Sequence, residues 1–423
     1  MKRASLTATA AALLLLPLGL VACGGGEEST PAAPAATTAE TETHSMMDTS
    51  GETGGTASAA ADLRVTLDRL LGEHALLAMF ATQKGLDGDK DFEQIAGALD
   101  ANSVDLADAI GSVYGDDART EFLDGDLKWR AHIGAFVDYT KALGAKDDAA
   151  QKKAVGELTG YVESFGQFLA GATDLPSEAV RGSLSEHITQ LKTQIDQYAA
   201  GDYEGAYGSL RNAYAHMFMT GDTLAGGIVA QKPDAFGDGA ADSPAADLRV
   251  TLGRLLGEHA ALAMTATQKG FAGKEDFEQI GAALDANAVD LSDAIASVYG
   301  DEAGKTFLDG ELLWRDHISF FVDYTVGLAK DDKAMQEKAV GNLTGYVEAF
   351  SGFLAEATGL PQNALRDSIS EHVTQLKGQI DAYAAGDYEQ AYELYREAVE
   401  HMVMTGDTLA GAIVEQSPEK FGA

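Results

Sequence analysis

The feature that most constrains this chain is an internal repeat. Ala61-Asp62-Leu63-Arg64-Val65-Thr66-Leu67 recurs as Ala246-Asp247-Leu248-Arg249-Val250-Thr251-Leu252, an offset of 185 that holds without a gap from Ala61–Phe236 to Ala246–Phe421. About two-thirds of the paired positions are identical. Solenoid units run to about 20–50 residues, so this period suits a duplicated domain instead. Residues 61–236 and 246–423 are expected to be two copies, with 237–245, rich in Gly, Asp, Ala and Pro, as the linker.

Within a copy the apolar residues recur at helical spacing, as in Leu63, Leu67, Leu70, Leu71, Leu77 and Ala78. The spacing predicts helices over about 61–84, 90–114, 117–143 with a bend at Gly125, 148–172, 176–200 and 203–231. Pro176 suits a first helical turn, and Gly85 and Gly115 are stops. No segment sustains the period-two alternation of a strand. The expected fold class is therefore all-α: two tandem antiparallel bundles of about six helices each.

The N-terminus reads as an export signal. Lys2 and Arg3 precede an apolar stretch from Ala10 to Leu20, too short for the roughly 20 residues that span a bilayer. Leu20-Val21-Ala22-Cys23, followed by Gly24-Gly25-Gly26, resembles the lipobox of bacterial lipoproteins. That resemblance implies removal of residues 1–22 and diacylglycerol on Cys23. It implies attachment to the cell membrane by lipid on the extracytoplasmic side, with the membrane as a partner through that anchor. Residues 23–60 carry almost no large apolar side chain and are expected to be a disordered tether. As a coil it would span roughly 35 Å.

Cys23 is the only cysteine. Disulfides and cysteine-based zinc, iron–sulfur or thiol chemistry are thereby excluded. With 66 Asp+Glu against 30 Lys+Arg, the chain repels nucleic acid, so no nucleic-acid partner is expected.

Histidine is the informative residue. Of nine, eight fall in the repeats: His74, His132, His187 and His216, then His259, His317, His372 and His401. Each copy places one on each of four predicted helices, so a bundle could bring four imidazoles to one level of its core. Imidazole is the commonest neutral ligand of zinc, copper and iron. Met219 and Met404 follow His216 and His401 by three residues and would add soft thioether ligands, suiting Cu(I) or a haem axial pair. Asn102, Asp105, Asp138 and Asp222, with Asn287, Asp290, Asp323 and Asp407, are candidates for a second shell around the ion. The residue three before each histidine is Leu71, Trp129, Leu184 or Ala213, never Glu, which disfavours a di-iron oxidase. Trp129 and Trp314 are expected to be core anchors with the indole N–H bonded nearby.

No nucleotide-binding loop, nucleophile elbow or acid–base pair stands out, so no catalytic residue is named. The last helix, with His216, Asp222, Leu224, Gly227-Ile228, Gln231, Pro233 and Phe236, loosely resembles uncharacterised secreted helical-bundle proteins of bacteria, and that resemblance implies no activity. The expected function is capture, buffering or delivery of a transition metal (copper, zinc or iron) or haem at the cell envelope. The alternative is a binding module for an envelope protein or polymer, with the histidines structural.

Overall fold

A computed structural model describes residues 58–237 and 241–422. The expected signal, Cys23 and nearly all of the tether lie outside the described residues. Every regular element among the described residues is an α-helix. In chain order these are α1 (Ala59–Asp87), α2 (Phe92–Tyr114), α3 (Asp116–Asp124), α4 (Trp129–Ala145), α5 (Asp148–Thr173), α6 (Ser177–Ala199), α7 (Tyr203–Gln231), α8 (Pro233–Phe236), α9 (Pro244–Ala272), α10 (Phe277–Tyr299), α11 (Asp301–Asp309), α12 (Trp314–Ala329), α13 (Lys333–Thr358), α14 (Gln362–Ala385), α15 (Tyr388–Gln416) and α16 (Pro418–Phe421). Among the described residues no helix is long and apolar enough to cross a membrane.

Local chemistry explains the ends. Ser58 and Ser243 accept the backbone N–H three residues on, at the starts of α1 and α9. Asp147, Asp202, Asp332 and Asp387 do the same for α5, α7, α13 and α15. Such side chains satisfy N–H groups that a first helical turn leaves unpaired. Gly88 and Gly273 close α1 and α9 in the left-handed region, which glycine adopts without a Cβ clash, whereas Gly85, expected as the stop, lies inside α1 where a Cβ would sit 3.2 Å from Phe92.

The third predicted helix is broken rather than bent. Gly125 is extended and Leu127 has φ 53°, so α3 stops at Asp124 and α4 starts afresh at Trp129. Gly310 and Leu312 (φ 57°) repeat the break. The Leu127 and Leu312 side chains lie over Gly160 and Gly345, where a Cβ would sit 3.4 and 3.5 Å away. The break lets α4 and α12 begin with Trp129 and Trp314 turned into the core.

In the first half α1 packs against α2, α4, α6 and α7, and α4 to α7 are successive neighbours. In the second half α9 packs in the same way on α10, α12, α14 and α15. The central helices are wrapped all round, with every residue buried from Leu70 to Lys84 and from Leu255 to Lys269. A helix buried on one face only would show an exposed stripe. Here α9 also covers α1, α10 packs on α7 and α15 on α2, so one apolar core runs through both halves.

Polar contacts across this junction are reciprocal. Arg64 pairs with Asp247 at 2.8 Å and Arg249 with Asp62 at 2.6 Å. Arg211 pairs with Glu258 and Asp290, and Arg396 with Glu73 and Asp105. The Tyr207 hydroxyl donates to Asp276 at 2.6 Å, and that of Tyr392 to Asp91 at 2.7 Å. Residue i of one half meets residue j of the other and the reverse, the pattern of a two-fold homodimer.

Candidate metal centre

Three of the four histidines in each half converge. His74 comes from the middle of α1, His132 from the first turn of α4 and His187 from α6; His259 (α9), His317 (α12) and His372 (α14) repeat them. In each triad one ligand nitrogen per ring lies within 4.8 Å of the others. His74 Nε2 and His132 Nε2 are 3.3 Å apart, as are His259 Nε2 and His317 Nε2. That equals the separation of about 3.3 Å between two nitrogens each 2.0–2.1 Å from a tetrahedral ion. With its nitrogen within 4.8 Å of the other two, the third imidazole needs to close by at most about 1.5 Å to join them.

All six rings are buried, none more than 4% exposed. Burial pushes His132 and His317 down to about 3 and His187 down to about 4, and puts His74, His259 and His372 well below the usual histidine range. Neighbouring imidazoles push His74, His132, His187, His259 and His372 the same way. The Trp129 and Trp314 carbonyls oppose the shift in His132 and His317 without hydrogen-bonding to Nδ1. The six imidazoles are neutral near pH 7, the form that ligates metal. They are also unsatisfied: Nδ1 of all six, and Nε2 of His187 and His372, have no hydrogen-bond partner. Buried polar atoms of that kind cost about 1–3 kcal/mol each, and so many in one place call for an explanation.

Aromatic rings close the walls. Tyr161 on α5 stacks on His132 at 4.5 Å, and Tyr346 on His317 at 4.5 Å. Trp129 lies 4.6 Å from His74 and 5.0 Å from His132. Tyr161 and Tyr346 carry no signal of this role in the sequence; each stacks on the phenylalanine four residues on, Phe165 and Phe350, a spacing that equally suits plain core packing. The Trp129 indole donates to Ser103 Oγ at 3.1 Å, but Ala288 replaces that serine in the second half and leaves the Trp314 Nε1 without a partner. Ala288→Ser should therefore raise stability by about 1 kcal/mol. Urea unfolding would show it, and an unchanged or lower midpoint would contradict this packing.

Apolar cavities flank each triad. In the first half one of about 510 Å³ touches His74 and His132, and one of about 100 Å³ touches His187. In the second half the sizes are reversed, about 70 Å³ beside His317 and about 480 Å³ beside His372.

The fourth histidine stays out of the group. His216 is half-buried between α6 and α7, where its Nε2–H donates to the Ser183 carbonyl at 3.0 Å; His401 does the same to Ser368. The core face of α7 is set by Ala206, Leu210, Ala213, Met217 and Gly221. At about 100° per residue His216 falls well to one side of that face and Met219 opposite it. Met219 is 58% exposed and Met404 39% exposed. The buried Met217 and Met402 instead line the cavities beside His187 and His372. That phase was legible in the sequence.

The candidate outer residues take other partners. Asn102 donates to the Leu70 carbonyl and to Glu73, and Asn287 to Leu255 and Glu258. Asp105 and Asp290 hold Arg396 and Arg211. Asp222 and Asp407 pair with Arg64 and Arg249. Asp138 is exposed and Asp323 partly so. Among the described residues none of these eight hydrogen-bonds to a triad imidazole; they serve helix pairs and the junction. Compared with known proteins, the chain matches no family model, no curated protein and no solved structure.

Proposed function

We propose that this protein consists of two copies of one helical bundle, each holding a single transition-metal ion on a histidine triad. We further propose that it captures, buffers or delivers that metal at the cell envelope while anchored through lipid on Cys23. The observation that carries the reading is the pair of identical triads: three neutral, buried, unsatisfied imidazoles within 4.8 Å, on three helices, twice. Hydrogen bonding among three such rings satisfies few of their nitrogens; one shared ion satisfies three at once.

Geometry favours a bare ion over haem. Two axial ligands of a haem iron stand about 4 Å apart with the porphyrin plane between them, at roughly 2 Å per bond. His74 and His132 are closer than that, and His187 packs against both. The docking alternative would call for an apolar patch repeated on both halves. Among the described residues the exposed large apolar side chains are Met219, Val289, Val322, Val340 and Met404, of which only the two methionines correspond.

Elemental analysis of the tag-free protein should find about one metal ion per half, reduced by half in His132→Ala and lost in His132→Ala/His317→Ala. No uptake after exposure to Cu(I), Zn(II) and Fe(II) would sink the reading. Cys23→Ala should abolish incorporation of labelled palmitate, which tests the anchor separately.

A further inference from the structure

We infer that the ion each triad is built for is monovalent copper rather than a divalent metal. This rests on the reading that the triads hold metal at all, and it concerns the charge of the surroundings. Each group of possible ligands contains histidines alone, with no carboxylate among them. The one cysteine, Cys23, lies outside the described residues. The buried acids that adjoin His74 and His259 in the chain are otherwise engaged: Glu73 with Arg396 and Asn102, and Glu258 with Arg211 and Asn287. The walls are Trp129, Tyr161 and Phe165, with a small apolar cavity beside His187 and a larger one beside His74 and His132 whose far rim carries Asp89, Asp100, Lys84, Arg130 and Lys141.

A divalent ion on three neutral imidazoles would carry its full double charge into this interior. Solvation energy scales with the square of charge, so a dication loses about four times what a monocation loses on leaving water. Divalent sites commonly offset that loss with an anionic ligand, or with carboxylates and carbonyls that accept from the second nitrogen of each histidine. Here the Nδ1 atoms of His74, His187, His259 and His372 have no acceptor, and those of His132 and His317 have only backbone carbonyls beside them, outside hydrogen-bond geometry. Copper(I) has one charge, a filled d shell and little demand for a fourth ligand, and three imidazoles suffice for it. The buried Met217 and Met402 thioethers, on the cavities beside His187 and His372, are soft donors of the kind Cu(I) prefers.

The test is an anaerobic titration of the full chain, free of a polyhistidine tag, with Cu(I) buffered by bicinchoninate and with Zn(II) as competitor. The expected result is two Cu(I) per chain, retained against a hundredfold excess of Zn(II), with the X-ray absorption edge of three-coordinate Cu(I). In Met217→Leu, a volume-conserving change that should fold, Cu(I) affinity in the first half should fall several-fold and Zn(II) affinity should not change. Two Zn(II) per chain that Cu(I) does not displace would overturn the inference and leave the metal-binding reading standing. Binding of neither ion would remove both.

Discussion

Lowering the pH of the metal-free protein from 7.5 to 5.5 is expected to unfold it. The six triad histidines have folded-state values far below the unfolded value near 6.5, two at about 3 and one at about 4. The unfolded chain therefore binds more protons than the folded one below pH 6.5. Stability is fully present above that pH and is lost as the pH falls toward the folded values. At about 1.4 kcal/mol per group per pH unit, six groups remove about 8 kcal/mol for each unit below 6.5. That approaches the whole stability of an ordinary domain, about 5–15 kcal/mol. The buried Asp68 and Asp407 carboxyls, both pushed upward mainly by burial, take up protons in the folded state and oppose the loss, but they are two groups against six. Circular dichroism across urea series should place the acid midpoint between about pH 5 and 6 with a slope of about six protons. A bound ion keeps the imidazoles deprotonated and should move that midpoint down. A urea-derived stability differing by less than about 2 kcal/mol between the two pH values would show that the six rings are not buried in their neutral form.

The second large effect lies at the junction of the halves. Arg396→Met removes the cation that faces Glu73, whose side chain is 2% exposed, and leaves that carboxylate with Asn102 as its remaining partner. Removing one partner of a buried pair costs about 3–5 kcal/mol, chiefly because the other charge stays buried alone. Asp105, half exposed, contributes less to the loss. Arg211→Met should cost about as much through Glu258, which is equally buried. Adding Glu73→Gln to Arg396→Met should recover part of the loss, since a neutral amide needs no counter-charge. A single-variant cost below about 1 kcal/mol, or no recovery in the double variant, would mean that water reaches Glu73 and the junction is looser than described.

The duplication also shows what sequence spacing can resolve. His74, His132 and His187 each stood out as the single histidine of its predicted helix, and three such rings meet. His216 stood out equally, but the register of Ala206, Leu210, Ala213 and Met217 turns it aside. Asn102 and Asp105 formed a polar stripe on α2 that suited a metal's surroundings equally well. Arg396, which holds Asp105, lies 291 positions beyond it, and no local pattern announces it.

From the sequence alone came most of the helices, the repeat and the histidines able to ligate, because each depends on contacts within a few residues or on identity at a constant offset. It took the folded molecule to settle that α1 and α9 are wrapped on every side, that the other three imidazoles converge, and that the acidic stripe binds arginines of the other half. Those outcomes depend on the rotation and crossing of helices distant in the chain. A change of one residue in helical phase, about 100°, carries a side chain out of the core, and the energy that sets the phase comes from surfaces the local sequence never meets.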